Sequence, residues 1–68
     1  MYYLKFVEQK VTPEYVCGLV EIYHPDVFFE GEVFVCIQVA VFDKDMFFKE
    51  YSKEDYELIM QILRDYER

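Results

Sequence analysis

The run from Val33 to Phe42 constrains this chain more than any other segment. Its ten residues are the longest stretch without a charge. Val33, Val35, Ile37, Val39 and Val41 fall on one side of an extended backbone, and Phe34, Cys36, Gln38, Ala40 and Phe42 on the other. Alternating β-branched residues predict a strand. Both sides are mostly apolar, which suits a central strand. The run is far short of the ~20 apolar residues a membrane-spanning helix needs, so no membrane partner is expected. A strand of this kind needs neighbours on its edges and a cover on its face. All of that must come from one small domain, 1–68, because 68 residues leave no room for a second.

Other segments supply candidates. Tyr2 to Lys10 alternates, with Leu4 and Phe6 on one side and Tyr3 and Lys5 on the other, and reads as a strand. Thr12 to Tyr23 carries two signals. Thr12-Pro13-Glu14 opens like a helix, with a Thr cap, Pro at the first position and an acid at the positive dipole end. Gly18 and the β-branched Val16, Val20 and Ile22 oppose that. A strand from about Tyr15 to Tyr23 is the favoured reading, with the helix as its alternative. His24-Pro25-Asp26 ends the element. Val27 to Glu32 is expected as a loop or short strand turning at Glu30-Gly31. Asp43-Lys44-Asp45 reads as a turn and Met46 to Tyr51 as a short edge strand. Lys53 to about Glu67 reads as a helix capped by Ser52, with a central stripe of Ile59, Ile62, Leu63 and Tyr66. Leu58, Tyr56 and Met60 widen this stripe beyond that of an ordinary surface helix. The predicted fold is therefore α+β: a small antiparallel sheet of three to four strands with one C-terminal helix packed on one face.

Composition removes several function classes. Seven Phe and seven Tyr are far too many for a disordered chain. Fourteen acids against seven bases give a net charge of -7, the wrong sign for direct nucleic-acid binding. There is no Asn or Trp, one Ser, one Thr and one His, a poor inventory for a nucleophile, a base and an orienting group. The chain is accordingly read as not an enzyme, with no cofactor. The N-terminal residues show no basic segment followed by a long apolar run, so no signal peptide is expected. Cys17 and Cys36 lack CxxC spacing, and a reducing cytoplasm is the default compartment. A disulfide between them is geometrically possible if their strands pair. The plainer reading is two small buried hydrophobes. Metal chemistry finds no support: one His and two Cys do not reproduce zinc spacing, and Phe47 and Phe48 stand where a calcium loop needs an oxygen ligand and a Gly. Tyr23-His24-Pro25-Asp26 is similar to the HPD loop of J-domain co-chaperones. That family is helical and places a basic helix before the loop, whereas no Lys or Arg lies between Val11 and Phe42 here.

The acids are the remaining signal. Glu14, Glu21, Asp26, Glu30 and Glu32 lie between Val11 and Phe42 with no base among them, and Asp43 follows. Glu54, Asp55 and Glu57 form a second cluster at the helix start, where they also complement the dipole. Phe28 and Phe29 sit between Asp26 and Glu30. An aromatic anchor ringed by acids is a plausible protein-binding hot spot, and both rings folding back on the core is the alternative. In size, charge and absence of catalytic groups the chain resembles phage-encoded anti-CRISPR proteins and other DNA-mimic inhibitors. The resemblance implies a small inhibitor whose partner is a basic, nucleic-acid-binding protein. Its contact residues would be Glu21, Asp26, Phe28, Phe29, Glu30, Glu32 and Asp43, with Glu54, Asp55 and Glu57 secondary. The alternative is a structural or homo-oligomerisation module, a homodimer for instance, using the apolar flank of Leu58, Ile62 and Tyr66, with acidity serving only solvation.

Overall fold

The computed structural model describes residues 1–26, 28–47 and 49–68. Val27 and Phe48, which belong to segments assigned above, lie outside them. Among the described residues the fold is α+β. β1 (Tyr2–Val11), β2 (Tyr15–Tyr23), β3 (Phe29–Gln38) and β4 (Glu50–Tyr51) form one antiparallel sheet in the order β3-β2-β1-β4. α1 (Lys53–Arg64) follows, and no helix is long and apolar enough to cross a membrane.

Segment 12–23 is a strand, and the features that looked helical serve a hairpin instead. The Thr12 hydroxyl accepts the Tyr15 and Glu14 N–H groups at 2.9 and 3.3 Å. This is the hydrogen bonding of a cap, spent on the turn between β1 and β2. Gly18 lies under the Phe6 ring and against the Val7 carbonyl, so a Cβ there would run into the Val7 oxygen and come within 2.7 Å of Phe6 Cζ. Val16, Gly18, Val20 and Ile22 are buried in strict alternation along β2.

The same face of the sheet carries Leu4, Phe6, Val35 and Ile37, covered by Phe47 and by Leu63 of α1. Phe6 stacks on Phe47 at 4.8 Å between centroids, and Phe42 leans on both. Tyr2 stacks on Tyr56 of α1 at 4.1 Å. Stacked rings of this kind add to the burial they accompany. The Ser52 hydroxyl accepts the Asp55 N–H at 3.3 Å and caps α1 as its sequence predicts.

Four expectations need correction. β3 begins at Phe29 rather than Val33, so the chain reverses at His24–Phe28, closed by His24 N–H to the Phe28 carbonyl at 2.9 Å, and not at Glu30-Gly31. β3 also stops at Gln38, and Val39–Val41 form a 3-10 turn tied to the first hairpin by Val39 N–H to the Glu14 carbonyl. Second, β3 is an edge strand, not a central one. Its free edge is partly covered by the chain end: Cys36 N–H reaches the Tyr66 carbonyl and Arg68 N–H the Phe34 carbonyl. Third, α1 ends at Arg64, three residues early, because Tyr66 to Arg68 turn away to make those bonds. Fourth, the return strand shrinks to Glu50–Tyr51, preceded by a 3-10 turn at Lys44–Phe47 that drives Phe47 into the core.

Candidate functional site

Strand register decides which side chains share the uncovered face of the sheet. Opposed residues form rows: Glu50, Tyr3, Tyr23 and Phe29; Lys5, Glu21 and Glu32; Val7, Leu19 and Phe34; Lys10, Cys17 and Cys36. Glu21 and Glu32 face each other directly across β2 and β3. Like charges in that position repel and cost stability. Lys5 opposes Glu21 on its other side, yet among the described residues no Lys or Arg pairs with an acid, and the one such contact is His24 with Asp26, exposed and 3.7 Å apart, an ion pair when His24 is protonated.

The β2–β3 hairpin carries four of the acids picked out in the sequence, Glu21, Asp26, Glu30 and Glu32. Asp26 is exposed in the connection. Glu30 is the extra residue of a bulge, since Ile22 pairs with Gly31 and Tyr23 with Phe29. A bulge re-aims the residue it adds. Glu30 comes near the helix side, where its charge, after burial, raises the pKa of Tyr56. Phe28 is 69% exposed and Phe29 55%, so neither folds back to cap the core. Phe29 keeps an edge contact with Tyr23 at 5.8 Å. Glu21, Asp26, Phe28, Phe29, Glu30 and Glu32 thus belong to one hairpin.

Asp43 does not join them. It accepts the Asp45 N–H at 3.0 Å, and its charge acts with that of Asp55 on Tyr51. Burial is the first cause of the raised Tyr51 pKa, followed by Asp43 and then Asp55. Asp43 therefore groups with the helix-opening cluster of Glu54, Asp55 and Glu57, all exposed. The sequence reading missed Glu50. The Tyr3 hydroxyl donates to its carboxylate, which is the main cause of a raised Tyr3 pKa. Only the pairing of β4 with β1 brings them together, and two residues of strand leave almost no periodic signal.

Set beside known proteins, the chain matches no family model, no curated protein and no solved structure. Its surface chemistry must therefore be judged on its own geometry. Among the described residues no buried polar or charged side chain and no metal-binding cluster of three or more His, Cys, Asp or Glu occurs. What the hairpin presents is charge and exposed aromatic area, which suits binding.

The cysteines differ from the plainer sequence reading. They are half-exposed on the uncovered face and bonded to each other as Cys17–Cys36. The direct pairing of β2 with β3 places their Cα atoms 4.0 Å apart.

Proposed function

We propose that this chain is a small, acidic, non-enzymatic inhibitor that binds another protein by occupying its basic, nucleic-acid-binding groove. The observation that carries this reading is the β2–β3 hairpin. It sets four carboxylates beside two exposed phenylalanines, with no Lys or Arg of its own. Carboxylates on a rigid hairpin can compete with phosphates for Lys and Arg, and the field of a strongly acidic chain speeds such encounters. The rings would supply the desolvated anchor that charge alone lacks.

The test is capture of proteins from cell extract on the immobilised chain, with elution by short duplex DNA. The double variant Glu30→Lys, Glu32→Lys should fold normally and lose capture. Capture that persists in this variant and in about 0.5 M salt, where exposed charges are screened, would defeat the proposal.

A second reading, self-association, is favoured by one observation. Leu58 and Ile62 are 58% and 47% exposed on α1. Tyr66 no longer belongs to that flank, because it packs against the core. The accessible surface of 4745 Å² is close to the ~4,600 Å² expected of a monomer of this mass, so no large excess area calls for a second copy. Sedimentation at high concentration separates the two readings.

A further inference from the structure

The Cys17–Cys36 pair stands apart from the acidic hairpin tip in its electrostatic surroundings. Both cysteines line a cavity of about 160 Å³ together with Lys10, Thr12, Tyr15 and Arg68. Lys10 is the register partner of Cys17, brought there by the bulge in β1 after Glu8. Arg68 is held near Cys36 by two backbone bonds, its own N–H to the Phe34 carbonyl and Cys36 N–H to the Tyr66 carbonyl. In a chain of net charge -7, two cationic side chains and no acidic side chain line the cavity that reaches the bonded sulfurs. The neighbouring acids are Glu8, which opposes Gly18 across β1 and β2, Glu14, which lines a different pocket, and Glu67, which bridges Val35.

We propose that Cys17–Cys36 is a thiol–disulfide exchange site that favours anionic low-molecular-weight thiols. Lys10 and Arg68 attract the carboxylates of such a thiol and stabilise the cysteine thiolate that leaves. The thiolate of one glutathione attacks one Sγ, breaking the disulfide, forming a mixed disulfide and releasing the other cysteine as thiolate. A second glutathione thiolate attacks the glutathione sulfur of that mixed disulfide and releases the second cysteine. Two electrons pass from two glutathiones to the protein, the products are glutathione disulfide and the dithiol, and the two thiol protons end on the cysteines. The reverse reaction restores the bond. This site does not depend on what the acidic hairpin binds.

The experiment reduces the oxidised full chain with glutathione and, separately, with cysteamine, a cationic thiol. Each rate is normalised to the same thiol acting on neutral hydroxyethyl disulfide. The overall charge of -7 favours cysteamine, whereas the cavity favours glutathione. The expected result is a normalised glutathione-to-cysteamine ratio above one at low ionic strength. It should fall roughly three-fold in each of Lys10→Gln and Arg68→Gln, and it should shrink in high salt. Both residues are exposed, so the variants should fold, and circular dichroism checks this. A ratio at or below one, a ratio unmoved by both variants, or cysteines left unpaired after mild oxidation would each overturn the proposal.

Discussion

The two faces of the sheet are built from the same three long strands, yet they have opposite characters. The covered face holds Leu4, Phe6, Val16, Val20, Ile22, Val35 and Ile37, closed by Phe47 and Leu63. The open face holds Tyr3, Leu19, Tyr23 and Phe34 among Lys5, Glu21 and Glu32, with the disulfide at one end. A strand forces its residues to alternate, so each open-face residue is fixed in place by its covered neighbours. Apolar burial is therefore concentrated on one side, and exposed charge and the disulfide on the other. Substitutions on the two sides should differ in size, and the two kinds of effect should separate.

The largest expected effect is on the covered side. Phe47 is fully buried and stacks on Phe6. Phe47→Ala should cost about 3–5 kcal/mol, enough to unfold much of a domain this small. Urea denaturation monitored by circular dichroism measures it. A loss below about 1 kcal/mol would mean that the aromatic cluster is not the centre of the core. Next comes Gly18→Ala. The added methyl meets the Val7 carbonyl oxygen, a backbone atom, as well as the Phe6 ring, so overpacking should cost about 1–3 kcal/mol. A neutral result would show that the β1 backbone at Val7 can shift as well as the Phe6 ring.

These two positions also show how far the sequence could be read. Period-two alternation made β1 and β2 legible, because each buries one side only. Ser52 and the stripe around Leu63 made α1 legible for the same reason at helical spacing. β3 was placed too far along the chain and in the wrong order. Its apolar second side looked central, whereas β2 alone of the sheet strands pairs with it and residues 66–68 only partly cover the other edge. Gly18 spoke in the sequence only against a helix, because the groups that need the space, the Phe6 ring and the Val7 carbonyl, belong to another strand. At the candidate site, the five residues that sit close together in the chain, Asp26, Phe28, Phe29, Glu30 and Glu32, do lie on one hairpin. Asp43 was misgrouped and Glu50 missed, since the 3-10 turns between β3 and β4 carry no periodicity that would reveal where they go.

A smaller effect lies at the seam between the faces. The Tyr51 hydroxyl donates to the Met46 carbonyl, and burial with Asp43 and Asp55 raises its pKa above the usual value near 10. The folded state thus holds the phenol proton more tightly than the unfolded chain. This contribution is whole below about pH 10 and is lost as pH rises through the folded pKa. Tyr51→Phe should cost about 1 kcal/mol at neutral pH by deleting the hydrogen bond, and it should flatten the loss of stability above pH 10. Thermal melts of both proteins between neutral and alkaline pH test this, and an identical alkaline decline in the variant would contradict it.

The smallest effect, and the one that best separates the faces, is at Glu32. Its carboxylate opposes that of Glu21 across the strands, where like charges destabilise. Lys5 relieves Glu21 from the other side in register but forms no ion pair with it among the described residues. Glu32→Gln should therefore raise stability by about 0.2–1 kcal/mol at low salt, and the gain should fade as salt screens the pair. On the covered face truncations are expected to lose stability, so a gain here would mark a position whose residue type is set by something other than folding. If the same variant also weakens capture of a basic partner, the repulsion is the energetic trace of a surface kept negative for binding. If stability falls instead, Glu32 is held by an attraction within the fold, and the contrast between the two faces fails at its most informative point.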